Sequence, residues 1–556
     1  MGRWFSSRTS ASSKSKNDRD VEPGVITEGR QAASIANFPL GSFQQNQKIF
    51  MSTNVFTEEH HSNTLSRIES KNTKPSGKIW EPRQMNFRPL ALLLLLSVCS
   101  LSARDKPNVL FIISDDLTAT ALGCYGNKLC QTPNIDRLAS QGTIFKRAYC
   151  QATFCGPSRA SFMFGYYPYA SKATGYTSGR KEVGADKDSW AQHFKKNGYH
   201  SARISKIFHM GVPPDITKGS DGADDPESWN EAYNSKGPET KVTGLAKQLS
   251  NNPGGLKEGT GSSQSFNVVE AEGDDLVHSD GKTAQKAVEL LHKYKDMEKP
   301  FFLAVGFVRP HVPLVAPKKY FAPYPIGKIV LPPKILGDQD DIPQNSANKR
   351  TTANYQMDLN QQKGTLRAYY ASVSFVDALV GKILSALEAT VQRDNTIVIF
   401  TSDHGYHLGE HDLWQKVSIH EESAKVPLII CVPGKKPAVC NSLTELIDLY
   451  PTISNLCDLK IPRNIQGKDI SGMLNDPSVK VREGALSSGK GRLWRTERWA
   501  YLDYGKTGEL YDMEKDPQQY TNLINVPEHA MILNQLKDQL KSKLNAIDQN
   551  DLTSSR

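Results

Sequence analysis

The chain has 556 residues, 38% hydrophobic and 23% charged, which is enough for several domains at roughly 100–200 residues each. Its formal net charge is +9 at pH 7, and residues 1–103 carry more than half of that excess. The remainder is near neutral and has no polybasic run, which excludes charge-driven nucleic-acid binding; any anion site must come from local clustering.

Met1–Gln84 is polar, rich in Ser, Asn, Gln and charge, and has no sustained apolar period, a composition that argues against a packed core. Residues 1–84 are expected to be a disordered, solvated extension or the product of a start codon set too far upstream, rather than a binding arm. His60 and His61 within them are taken as an incidental pair. At Met85 the character changes. Met85-Asn86-Phe87-Arg88 is a short basic start, Leu90–Val98 is almost continuously apolar, and Ser100-Leu101-Ser102-Ala103 offers small residues for cleavage. Residues 85–103 therefore have the three regions of a secretory signal peptide. The apolar run is shorter than the ~20 residues a membrane span needs, so no stable membrane span is expected. Val98 is too bulky for Cys99 to be a good lipoprotein site. Translation is expected to start at Met85, with export to a periplasmic, extracellular or lysosome-like compartment.

Eight cysteines occur, and signal cleavage would remove Cys99. Export permits disulfides. Cys431 and Cys440 flank the turn-like Val432–Lys436 and are the candidates for pairing; no Cys-x-x-Cys zinc spacing is present.

Asn108–Ile113, Phe301–Phe307, Thr396–Thr401 and Leu428–Val432 are apolar runs of strand length, with a shorter candidate at His200–Ile204. Such runs predict strands buried on both faces, as in parallel sheets. Pro427 and Pro433 bracket the fourth run, where prolines suit strand ends better than the middle. Leu366, Tyr369, Val373, Val376, Val380, Ile383 and Leu387 alternate spacings of three and four and form one helical stripe. Strands alternating with helices predict an α/β domain with a large, mainly parallel sheet over residues 104–475. Residues 211–275, rich in Gly, Asp, Ser and Asn, are expected to be long loops forming a rim or lid. From 476 to 556 the short runs Gly484–Ser488, Arg498–Leu502 and Glu509–Asp512 predict a smaller antiparallel sheet, closed by a helix from about Pro527 to Ala546.

In open α/β sheets, ligands bind beyond the carboxyl ends of the strands. The first strand ends in Asp115-Asp116, the strand at Thr396 in Asp403-His404-Gly405, the strand at Phe301 leads into Arg309-Pro310-His311, and that at His200 into Lys206 and His209. Taken singly, the acidic pair could cap a helix, the lysines could be solvated, and the histidines could be satisfied loop residues. Together, three carboxylates at two strand ends make a hard pocket for Ca²⁺ or Mg²⁺, and would repel one another without a cation. His404 either ligates or only lines it. His407, His411 and His420 are taken as bystanders or rim residues. Cys155-Gly156-Pro157-Ser158-Arg159 places a thiol at a helix start, where free N–H groups favour an anion; the alternative is a buried structural cysteine.

With Asp115-Asp116, Cys155-Gly156-Pro157-Ser158-Arg159, Asp403-His404-Gly405, Thr132–Ala139 and Leu510–Pro517 in view, the chain resembles the type I sulfatases of the alkaline phosphatase-like superfamily. The likeness runs from about Lys106 to Ile547. Lys206-Ile207-Phe208-His209, Arg309-Pro310-His311-Val312-Pro313, Leu408-Gly409-Glu410-His411 and Trp414-Gln415-Lys416 are similar to the iduronate-2-sulfatase branch. The resemblance implies sulfate-ester hydrolysis on a sulfated carbohydrate, with a uronate 2-sulfate as one candidate. It implies oxidation of Cys155 to formylglycine by a formylglycine-generating enzyme, with the hydrated aldehyde as nucleophile on Ca²⁺. It further implies metal ligation by Asp115, Asp116, Asp403, His404 and modified Cys155. By the same likeness Arg159 holds the nucleophile, Lys206 and His209 are its further partners, with His209 a candidate base, Lys416 clamps sulfate, and His311 gives a proton to the leaving oxygen. Phe164-Gly165 stands where the family usually carries Thr-Gly. Two other readings stay open: a phosphodiesterase or phosphonate monoester hydrolase with the same nucleophile, and an inactive carbohydrate-binding relative.

Overall fold

Asn108–Asp115 (β1) is buried at every position, because it lies in the middle of an eight-stranded sheet. The computed structural model describes residues 106–252, 265–346 and 350–549. The extension of residues 1–84 and the signal peptide of 85–103 lie outside the described residues. The other strands of the sheet are β2 (Thr143–Phe145), β3 (His200–Ser205), β4 (Glu231–Tyr233), β5 (Phe301–Pro310), β6 (Thr396–Ser402), β7 (Leu428–Cys431) and β8 (Ala438–Cys440). They are ordered β8-β2-β7-β6-β1-β5-β3-β4. Only β7 runs against the rest, so the sheet is mainly parallel as the apolar runs predicted.

Successive side chains of β1 point to opposite faces. Leu110 and Ile112 join a core with the helices Pro133–Ser140 (α1), Ser279–Tyr294 (α2) and Leu359–Ala389 (α3). Val109, Phe111 and Ile113 join a second core with Phe162, Trp190 and Ile453. The Phe111 ring lies 6.0 Å from Phe162 and 5.0 Å from Trp190. Each fully buried side chain of this size contributes about 1.5–3 kcal/mol, so β1 is firmly held between the two cores. The predicted apolar stripe lies on α3, whose start is fixed by a capping box between Asp358 and Gln361. α3 is long and apolar enough to cross a membrane, but most of its apolar window is buried inside the fold.

Two expectations change. Residues 211–275 are not only loop: they supply the edge strand β4 and a strand pair, Gly244–Gln248 with Asn267–Ala271, which continues onto Leu314–Pro317. Period-2 patterning is weak there because Gly244–Gln248 is exposed along its whole length. Cys431 and Cys440 are both free thiols. They lie on β7 and β8, which β2 separates. Strands two apart are about 9–10 Å from each other, beyond the reach of a disulfide. Cys431 instead donates to the Leu138 carbonyl and Cys440 to that of Pro477.

Near the C-terminus, Gly484–Ser488 (β9), Arg492–Thr496 (β10), Trp499–Asp503 (β11) and Gly508–Asp512 (β12) form an antiparallel sheet. β10 was not among the predicted strands. The closing helix, Ala530–Asp548 (α4), packs Leu533, Leu536, Leu540 and Ile547 on Trp494, Tyr501 and Leu510. Arg482, just before this sheet, bonds Glu445 and, at 2.6 Å, Asp448; all three are buried.

Replacing Arg482 by Met strands both carboxylates, and urea unfolding should show a loss of about 3–5 kcal/mol; an unchanged midpoint would refute the pairing. Unfolded without reductant, the protein should also yield alkylated peptides of both Cys431 and Cys440. Recovery of a disulfide-linked pair would overturn their separation.

Candidate active site

β1 and β6 lie side by side and end together, so Asp115-Asp116 and Asp403-His404 emerge at one edge. Asp116 leaves β1 with φ of 63°, a left-handed conformation that aspartate tolerates better than most residues. Tyr369 of α3 holds that turn: its hydroxyl donates to the Asp116 carbonyl at 2.6 Å and accepts from the Thr118 amide at 2.9 Å. The Leu117 amide donates to Ser402 Oγ at 3.0 Å and the Asp116 amide to Asp403 Oδ1 at 3.2 Å, tying the two strand ends together.

Cys155 is the first residue of the helix Cys155–Phe164, which every one of its residues enters buried. Pro157 fits because first-turn amides have no partner within the helix. Gly165, with φ of 78°, ends the helix, its amide donating to the Ser161 carbonyl. Ser158 donates to the Asp403 carbonyl. Arg159 is fully buried and bonds Asp403 Oδ2 at 2.9 Å, Asp115 Oδ1 at 3.1 Å, and the carbonyls of Lys206 and Ile207 at 2.6 and 3.0 Å. Gly156 lacks a side chain because one would run into the Gly175 carbonyl. That close approach brings Tyr176 over the site, where its ring stacks on His209 at 4.3 Å.

Asp115, Asp116, Cys155 and His404 each offer one ligand atom, and these atoms lie within 4.8 Å of one another. Lys206 pairs with Asp115. Lys416 Nζ lies 2.5 Å from Asp116 Oδ1 and 3.0 Å from Cys155 Sγ. His311 Nε2 lies 3.8 Å from Asp116 Oδ2. Asp403 borders the group, 3.6 Å from His404 Nε2, with its carboxylate engaged by Arg159. His209 joins through its stack on Tyr176 rather than by a contact to the carboxylates.

Two features of this pocket fit a divalent cation. Asp116 Oδ2 is buried without a hydrogen-bond partner. His404 Nδ1 faces the Gly405 carbonyl at 2.9 Å, and a carbonyl only accepts, so Nδ1 carries the hydrogen. The Nε2 lone pair then points into the cluster, 3.3 Å from both Cys155 Sγ and Asp116 Oδ1.

The surroundings polarise every group. Burial would raise Asp115, but Lys206 and Arg159 hold it well below the usual carboxylate range. Burial raises Asp116, and Asp115 and Asp403 add to this against Lys416. Burial, reinforced by Asp115, pushes the Cys155 thiol up, so no thiolate forms at neutral pH. Burial, then Lys206, pushes His209 down to about 2; burial, then Lys416, holds His311 well below its ordinary value. Both imidazoles are neutral.

Sequence reasoning missed Tyr369, Ser158 and Tyr176. Tyr369 was visible only as an apolar stripe position, and nothing local reveals which partner its hydroxyl meets. His407, His411 and His420 are not at the rim. They form a separate buried group, with ring centroids 5.0–6.3 Å apart, facing Asp338, Glu422 and Glu509.

Residues 107–459 match the family model "Sulfatase", and 409–546 match "N-sulphoglucosamine sulphohydrolase, C-terminal". A sulfatase of Formosa agariphila is 33% identical over 465 residues, 78% of this chain and 88% of that protein. The iduronate 2-sulfatase of Mus musculus is 32% identical over 437 residues, 70% and 76% of the respective chains. In fold, the chain is similar to a phosphonate monoester hydrolase from Silicibacter pomeroyi, with a TM-score of 0.65 at 21% identity over 81% of this chain and 97% of that one. The match of residues 107–459 to the family model, together with relatives 32–33% identical that are covered over 76–88% of their length, establishes that this chain belongs to the sulfatase family.

Proposed function

We propose that the protein hydrolyses sulfate esters of a sulfated carbohydrate, a uronate 2-sulfate among the candidates, with position 155 as formylglycine and Ca²⁺ as the resident cation. The observation that carries this reading is the setting of Cys155. Its sulfur is buried against Asp116, His404 and Lys416, and its proton is held too tightly for thiolate chemistry. A formylglycine-generating enzyme would act on the chain before export through residues 85–103. The 32% identity to iduronate 2-sulfatase supports a sugar sulfate as substrate.

Asp115, Asp116, Asp403, His404 and position 155 would hold the cation, which when bound supplies Lewis-acid stabilisation of oxygen at position 155. The oxidised residue would supply a hydrated aldehyde oxygen in place of sulfur. Arg159 orients position 155 indirectly, by locking Asp115 and Asp403 to the helix that carries it. Lys206 neutralises Asp115 from within, and Lys416, 13% exposed, offers its ammonium to the sulfuryl oxygens from the open side. His209 is assigned as the base that takes the proton of the attacking oxygen, and its burial beside Lys206 opposes that role. His311 Nδ1–H donates to the Val312 carbonyl at 2.5 Å, which leaves Nε2 to carry the proton given to the leaving sugar oxygen. Negative charge on the bound substrate favours that protonation, and burial with Lys416 opposes it.

Mass spectrometry of the peptide holding Cys155 in active enzyme should find the aldehyde, and Cys155→Ala should lower sulfate release at least ~10³-fold. An unmodified thiol in fully active enzyme would sink the mechanism. On matched aryl substrates, the sulfate should turn over faster than the phosphate diester or phosphonate monoester. The reverse order would favour the phosphonate hydrolase reading, and ligand binding without turnover of any, despite formylglycine, would favour an inactive carbohydrate-binding relative.

A further inference from the structure

Two hollows lie between the Cys155 turn and the C-terminal sheet and helix. The first, about 330 Å³, is lined by Phe154 and Pro157 on either side of the nucleophile position, and by Lys172 and Thr174. The second, about 310 Å³, is lined by Lys537 and Lys541 of α4. They share Tyr169, Arg492 and Leu544, so they form one track whose inner end lies at Phe154 and Pro157. Its aromatic surface is accessible: Tyr169 is 41% exposed. At its inner end, Phe154 meets Tyr176, itself 63% exposed, edge to face at 6.2 Å.

Lys172 lies over the Tyr169 ring at 4.5 Å, and among the described residues no carboxylate pairs with Lys172, Lys537 or Lys541. Arg492 alone is paired, with Asp503 at 2.7 Å. A larger groove of about 970 Å³ lies on the other side of α4. Of its cations, Lys480 pairs with Glu497, Arg482 with Glu445 and Asp448, and Arg498 with Asp512, while Lys468 donates to the Val481 carbonyl and Lys543 lies over the Tyr167 ring. Unneutralised ammonium groups beside exposed aromatic rings suit a ligand that combines flat, partly apolar rings with anionic substituents.

We propose that this track binds the sugars beyond the one that loses sulfate, and that its ligand is a polyanionic oligosaccharide of several residues. The proposal rests on the reading of the Cys155 site as a carbohydrate sulfatase. It deepens that reading by making chain length a determinant of affinity, with Tyr169 as a ring platform and Lys172, Lys537 and Lys541 as the contacts for sulfate or carboxylate groups.

Isothermal titration calorimetry of the full-length protein with a heparin-derived hexasaccharide and the matching disaccharide tests it. The hexasaccharide should bind more tightly, and the difference should shrink as salt is raised. The double variant K537A/K541A should weaken hexasaccharide binding roughly threefold to tenfold while leaving disaccharide binding as in the wild type. Tyr169→Ala should act in the same sense, and Tyr169→Phe should restore binding. Equal affinity for the two lengths, or a length advantage that survives in both variants, would overturn the proposal. Turnover of p-nitrophenyl sulfate by the unaltered protein reports separately on the reaction. Its absence, with the length dependence intact, would count against the sulfatase reading and leave the track as a polyanion site.

Discussion

The buried guanidinium of Arg159 holds the candidate site together. It joins the end of β1 through Asp115, the end of β6 through Asp403, and the segment after β3 through two carbonyls. Removing such a charge from water is costly, and the cost is offset only when every donor has a partner. Here the Nε and both terminal nitrogens are bonded, so the helix that begins at Cys155 has one placement relative to the sheet. Loss of Arg159 would leave Asp115 and Asp403 as uncompensated buried carboxylates.

That constraint sets the electrostatics of the rest. Asp115, Asp116 and Asp403 face Arg159, Lys206 and Lys416 in a space with almost no access to water. The cations hold Asp115 ionised, while the crowding of carboxylates raises Asp116. The same burial keeps the Cys155 sulfur protonated and the two flanking imidazoles neutral. The pocket is therefore poor for thiolate chemistry and suited to a hard cation with an anionic oxygen ligand.

Much of this was legible in the sequence, for identifiable reasons. Strands buried on both faces appear as unbroken apolar runs, so β1, β5, β6 and β7 were visible, and with them the strand ends that carry Asp115, Asp116, Asp403 and His404. β10 was not visible: in Arg492–Thr496 only Leu493 and Trp494 lie between two arginines, too short an apolar run to stand out. The Cys431–Cys440 expectation failed because closeness along the chain says nothing of the strand inserted between them. His407, His411 and His420 were expected as bystanders or rim residues, and their burial against Glu422, Asp338 and Glu509, away from any rim, had no local signal.

The sequence by itself determined the family, the mainly parallel sheet and the residues that meet at its edge, because side-chain periodicity and motif order are local properties of the chain. The tertiary structure decided how those residues are engaged. It gave Asp403 to Arg159, set Lys416 against Asp116 and Cys155, recruited Tyr369 to the Asp116 turn, and laid Tyr176 on His209. These contacts join residues dozens to hundreds of positions apart. Their geometry follows from how helices pack on a twisted sheet, which no short stretch of sequence encodes.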